Sequence, residues 1–255
     1  MPNLTTYQNE FNVGAAGQVA TLEESNIKTR NAEQALAFGE AAVVGTTAGT
    51  DVKKIYKDTV SVTYSADFVA SNSIPMSVNG VAITPVVYAT SHAATFAALI
   101  AAIDVLTGVS CVAGSGREII ITIDDAVSNI TVSDNTVTGG AGQPTLTIVY
   151  SSSDVFEGIA TLRHGQPATI GGDDGYVIND TVNVLTKGVI WVKVVATVAY
   201  GDSVYVYNDK SNSANQGQFT NSASGNLAVS SAKFVIGAAG TTGTPALAKI
   251  EINQP

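Results

Sequence analysis

Charge is what this 255-residue chain has least of: Asp, Glu, Lys and Arg together make up 13% of it. That is about half the usual share in a soluble protein. Twelve basic residues face 21 acidic ones, for a net charge of −9, and the basic ones are scattered singly. A protein that holds DNA or RNA needs a basic face to displace condensed counterions, so the balance argues against a nucleic-acid partner. The one tight basic group, Lys53, Lys54 and Lys57, reads as a solvated strand edge. Cysteine is scarcer still. The lone Cys111 excludes an intrachain disulfide and a cysteine-cluster metal site. Its setting, Val109-Ser110-Cys111-Val112, reads as a small buried hydrophobe. Long apolar runs are missing too, and no stretch reaches the length that spans a bilayer. The opening Met1 to Thr5 has neither the basic nor the apolar region of a signal peptide. The expectation is a chain made and folded in the cytosol, with no membrane partner.

The residues of catalysis are equally thin. There are two histidines, His92 and His164, and a catalytic triad or a zinc site would need both, with carboxylates brought in from afar. Carboxylate pairs occur at Glu23-Glu24, Asp124-Asp125 and Asp173-Asp174. Adjacent strand residues point to opposite faces, so such pairs make poor acid/base dyads outside a loop. Gly171-Gly172-Asp173-Asp174-Gly175 is a loop that offers oxygens to a cation. It lacks the spaced oxygens and distal Glu of an EF-hand and reads as a solvated turn. The glycine-rich stretches Gly45 to Gly49 and Gly237 to Gly243 lead into neither Lys-Ser nor Lys-Thr, so neither is a phosphate loop. Gly114-Ser115-Gly116 falls short of a nucleophile elbow. A glycan hydrolase would need two carboxylates facing each other across a cleft, and nothing in the sequence demands one. The expectation is no enzyme, no cofactor and no bound metal.

Thr, Ser, Val, Ala, Gly and Asn fill the space that charge leaves. Val and Thr favour strands, and Gly, Asn and Ser favour the turns between them, so the fold class is mainly β. Residues 1–12 are polar and aperiodic, with Leu4, Tyr7 and Phe11 as isolated apolar points. They read as an N-terminal arm, either a frayed terminus or a segment ordered on a neighbouring subunit, where Leu4, Tyr7 and Phe11 would make the contacts. Residues 13–58 and 153–255 carry short strands between Gly and Asn turns and form one discontinuous β domain, a sandwich or barrel. Residues 31–38 have the composition for one helical turn, stopped by Gly39. In Val189 to Val195, Ile190, Val192 and Val194 make the cleaner core face, which leaves Trp191 on an outer or intersubunit face. Residues 209–226 read as a polar loop at a tip.

Residues 59–152 change character, with Arg117 the only basic residue against six acids. Met76 to Ile83 is a hairpin around Asn79-Gly80, which accepts the positive φ angles of a type I′ turn. A helix follows, capped by Ser91 and ended by Gly108 in the left-handed conformation. Phe96, Leu99, Ile100, Ile103 and Leu106 line one face of it at helical spacing. Strands at 109–113, 118–123, 130–132 and 145–149 come next. One amphipathic helix laid on an antiparallel sheet makes this an inserted small α+β domain.

The phrases Gly14-Ala-Ala-Gly-Gln-Val-Ala20, Ile27-Lys-Thr-Arg-Asn-Ala-Glu33 and Ala37-Phe-Gly-Glu-Ala-Ala-Val-Val44 resemble the opening of tailed-bacteriophage capsid decoration proteins, the structural cement proteins. Val184 to Val192, Val198-Ala-Tyr-Gly-Asp-Ser-Val-Tyr205, Gly217-Gln-Phe-Thr220 and Ala246 to Ile252 resemble later phrases of the same family. The middle segment departs from the shorter members and looks like a ββαββ module found inserted in phage structural proteins. The resemblance implies a β-barrel or β-tulip domain, often a homotrimer. It implies a place on the outer capsid surface at threefold positions, bridging neighbouring major capsid proteins, after synthesis in the host cytoplasm. A tail, baseplate or fibre component, or a host-surface-binding module, fits the composition as the alternative.

Overall fold

In a computed structural model of the chain, the described residues are 14–20, 25–123, 128–139, 143–162 and 175–254. The chain divides into two compact units. One joins the described residues up to Ile55 to those from Asp154 onward; the other is Tyr56–Ser153. The principal elements, in chain order, are β1 (Asn26–Ala32), β2 (Ala41–Val44), β3 (Asp51–Lys53), β4 (Thr59–Tyr64), β5 (Ser77–Val78), β6 (Val81–Ala82) and α1 (His92–Asp104). After the helix come β7 (Val109–Ala113), β8 (Glu118–Ile123), β9 (Val132–Ser133), β10 (Leu146–Ser151), β11 (Phe156–Ala160) and β12 (Thr181–Val194). The last four are β13 (Ser203–Val206), β14 (Phe219–Thr220), β15 (Leu227–Ile236) and β16 (Ala246–Asn253). The protein is mainly β, as its composition requires.

In the second unit, β7, β8, β4 and β10 form an antiparallel sheet in that order. The period-2 pattern of β4 and β8 puts Val60, Val62, Tyr64, Ile119, Ile121 and Ile123 on one face. The helix lays Phe96, Leu99 and Ile103 into the same core and packs on β7. Ser91 caps it, its side chain accepting from the Ala94 N–H at 3.2 Å. The helix ends earlier than its sequence signal. Asp104 closes it, and Gly108, with φ 70°, serves the turn into β7 instead. Asn79 and Gly80 have φ 50° and 77°, so the β5–β6 hairpin takes the turn its sequence specifies.

The first unit is organised by β12, a strand of 14 residues. Its sheet has nine strands in the order β1-β3-β2-β11-β12-β14-β13-β15-β16. Two further pairings, β1 with β12 and β12 with β16, return both ends of that order to the same strand. The first part of β12, Thr181 to Lys187, pairs with β1; the second, Lys187 to Val194, pairs with β16. Gly188, with φ 129°, sits where the partners change, a conformation that side chains rarely adopt. Each part has its own core. Val182 and Val184 join Leu36, Val52 and Tyr176, while Ile190, Val192 and Val194 join Phe219, Phe234 and Ile250. The mainly β fold class of the resemblance stands, with its barrel or tulip replaced by one large sheet that is not a closed barrel.

Four local expectations are also corrected. Residues 31–38 form no helical turn, because β1 runs to Ala32 and Leu36–Ala37 pair with Gly175–Tyr176. The segment 209–226 is no loose tip. It holds a 3₁₀ helix at Lys210–Asn215 and then β14, and Gln216, Gln218 and Thr220 are buried. The Gln216 side-chain amide donates to Asn208 Oδ1 at 2.7 Å, which makes that burial tolerable. The Lys53, Lys54 and Lys57 group is not a solvated edge: Lys53 pairs with Asp154 at 3.1 Å, Lys54 with Glu40 at 3.0 Å, and Lys57 is buried. Trp191 does point away from the Ile190 face, yet it is only 7% exposed. Gly14 lies against its ring.

Candidate functional site

Among the described residues, the polar groups that chemistry would recruit are engaged in holding the fold. His92 opens α1, and its Nδ1 accepts the Phe68 backbone N–H at 3.0 Å. Its ring stacks tilted against Phe68 and Phe96, with centroids 5.1 and 5.4 Å away. Asp67, near its other nitrogen, is held by Arg117 at 2.5 Å, and that guanidinium keeps the Asp67 carboxyl below the usual range. The buried Glu40 carboxylate accepts from the Ala37 N–H at 2.8 Å and from Lys54. The buried Asp58 accepts from the Ser153 N–H at 3.0 Å and its hydroxyl at 2.6 Å. Burial raises the Cys111 thiol to about 12, with the Asp104 carboxylate adding to the rise. Among the described residues, no three His, Cys, Asp or Glu side chains gather where they could share a metal ion. His164, Glu23-Glu24, Asp124-Asp125 and Asp173-Asp174 lie outside the described residues, as do Leu4, Tyr7 and Phe11.

What the described residues offer outward is apolar surface on firm turns. In the second unit, Val81 and Val105 are 55% and 79% exposed. With Val78, Leu106, Val109 and Ile123 they border a groove of about 470 Å³. In the first unit, Tyr200 is 80% exposed at the turn before β13. That turn is rigid. Asp202 accepts from the Ala199 N–H at 2.9 Å and the Asn221 amide at 2.8 Å, and those bonds lower its carboxyl from its usual value. Gly201 has φ 85° and donates to Phe234 O at 2.7 Å. An aromatic held out on a fixed turn costs little entropy to bury, the property of an interface anchor. Val177 and Ile178 stand out in the same way at the turn into β12. The sequence did not mark these residues, because an exposed Val, Ile or Tyr reads as core until its turn is placed.

The family model of structural cement proteins (E217 gp24/Pam3 gp6) matches residues 88–253. The chain belongs to this family. As a structural cement protein it is a structural component of a phage capsid, a virion protein whose family role is not catalytic. The matched segment takes in α1, β7 to β10 and every later strand. The opening phrases at 14–44 lie ahead of it, and the part of the ββαββ module from α1 onward lies within it. A chain from the solved capsid of Myoviridae phage XM1 is similar over 99% of this chain and 97% of its own, at 14% identity and a TM-score of 0.45. No curated protein matches the sequence.

Proposed function

We propose that this cement protein decorates the outer capsid surface as a homotrimer at threefold positions, binding across neighbouring major capsid proteins and stabilising the assembled shell. The family match over residues 88–253 carries the reading. The surface supports it: few charges to desolvate, and apolar residues fixed on turns. A ligand that binds only the assembled state shifts the equilibrium toward it, and a cyclic trimer suits a threefold position by symmetry. Tyr200 and the Val177-Ile178 turn are contact residues in this reading. Leu4, Tyr7 and Phe11 of the 1–12 arm add contacts to a neighbouring capsid subunit.

The test is co-sedimentation with capsids that lack the protein. The wild-type chain binds saturably and raises the temperature at which the shells rupture. Tyr200→Ala, at an exposed site, lowers the affinity about tenfold without changing the melting temperature of the free chain. Removal of residues 1–12 weakens binding further. Absence of co-sedimentation at saturating concentration overturns the proposal.

A further inference from the structure

The sheet of the first unit leaves neither end free, since β1 and β16 both return to β12. Among the described residues, the four-stranded sheet of the second unit ends on two strands, β7 and β10, which are treated differently. β7 is guarded: α1 packs on it, and the Asp104 carboxylate takes the Cys111 N–H at 3.0 Å. β10 is Leu146-Thr-Ile-Val-Tyr-Ser151, with no charge and no proline. Ser65 donates to Thr145 O at 2.9 Å, which fixes the phase of the β4–β10 ladder. By the antiparallel alternation, Thr147 and Val149 turn their backbone groups to β4, and Leu146 and Ile148 turn theirs away. Among the described residues, nothing accepts or donates to the backbone of Leu146 or Ile148 at that edge. The side chains of Leu146, Ile148 and Tyr150 pack on the core, and Val149, 56% exposed, stands on the outer face. Soluble proteins blunt such edges with lysine, proline, a bulge or a covering segment, because an open uncharged edge recruits another strand.

We propose that β10 pairs antiparallel with β10 of a second copy of this chain, about a twofold axis through Ile148. The strand is self-complementary about that residue. Ile148 faces itself, Leu146 faces Tyr150, Thr147 faces Val149, and Thr145 faces Ser151. Leu146 and Tyr150 are both largely apolar, Thr147 and Val149 both β-branched, Thr145 and Ser151 both hydroxylated, and no like charges oppose. The pairing satisfies the Ile148 and Leu146 backbone groups and covers Val149. A strand pair alone buries less than the roughly 1,200–2,000 Å² of a stable interface, so this contact is weak on its own, apart from any trimer contact. Two chains of net charge −9 also repel, so added salt favours the pair.

Cross-linking traps such a weak dimer and reads its register. In the proposed pairing Thr147 and Val149 of opposite copies form a non-hydrogen-bonded pair, with Cα atoms about 4.5 Å apart, within reach of a disulfide. Full-length Thr147→Cys and Val149→Cys chains are mixed under mild copper–phenanthroline oxidation. The mixture is expected to give the mixed disulfide dimer in several-fold higher yield than either variant alone. Raising salt from 50 to 500 mM is expected to increase it. A control mixture of Val149→Cys with Val177→Cys sets the collision background. A yield no higher than that background overturns the proposal, as does equal linkage in each single variant. Both cysteine positions are exposed, and unchanged melting temperatures confirm that the chains compared are folded. The readout is made without capsids, so it stands or falls separately from capsid binding.

Discussion

Lys249 holds its ammonium 4.8 Å from the Trp191 ring centroid, across the β12–β16 pair in which the two residues are register partners. A cation over an indole face contributes about 0.5–1 kcal/mol at a partly exposed site. Gly14 lies against the same indole, and a Cβ there would fall 2.1 Å from Trp191 Cδ1. The only tryptophan of the chain thus faces outward from its strand and is still covered.

Gly14→Ala therefore displaces the 14–20 segment from Trp191, costing about 1–3 kcal/mol of local packing. The expected result is red-shifted tryptophan emission with greater acrylamide quenching. The chemical environment of Cys111, in the other unit, stays unchanged.

Asp58 and Ser153 lie at the two ends of the second unit, and the carboxylate ties them. Asp58→Ala leaves the Ser153 N–H and hydroxyl without their buried acceptor, a loss of about 1–3 kcal/mol. Urea unfolding should show it, along with faster amide exchange at Ser153. Asp58→Asn, which keeps one acceptor oxygen, should lose less.

Leu99, on the core-facing side of α1, is fully buried. Leu99→Ala should cost about 2–5 kcal/mol and Ser91→Ala, which removes the cap, about 1 kcal/mol. Thermal unfolding followed by helix circular dichroism separates the two.

Glu118 accepts from the Ser61 hydroxyl and from the Ser115 N–H, and these bonds hold its carboxyl below its usual value. A carboxyl depressed in the folded state adds stability above its unfolded pKa of roughly 4 and loses it as pH falls through the folded value. Glu118→Gln should therefore melt below wild type at pH 6, and the difference should shrink on acidification toward pH 2. A constant difference would refute the assignment.

Cys111 is buried, and its thiol is raised to about 12. At pH 8 it should be inert to dithiobis-nitrobenzoate in the folded chain. One equivalent should react in 6 M guanidinium. Leu99→Ala, which loosens the same core, should speed the folded-state reaction.

Legibility in the sequence followed the range of the interaction. The Asn79-Gly80 turn, the Ser91 cap and the Phe96–Leu99–Ile103 stripe depend on residues within a few positions of one another, and all three stand where the sequence puts them. The false helical turn at 31–38 failed for the complementary reason. Its local preference is weak, and pairing of Leu36–Ala37 with Gly175–Tyr176, distant in sequence, overrides it. The exposed candidates Tyr200, Val177 and Val105 were invisible because side-chain type does not say which side of a turn meets water.

By itself, then, the sequence determined a charge-poor, mainly β chain with one capped helix, because strand period, turn chemistry and capping are properties of neighbouring residues. Only the tertiary structure decided that β1 and β16 both return to β12, that Trp191 is roofed by Gly14 and Lys249, and that Gln216 and Gln218 go inside. Those outcomes depend on register between strands far apart in the chain. Composition constrains such register weakly, and the closing of a shared core selects it.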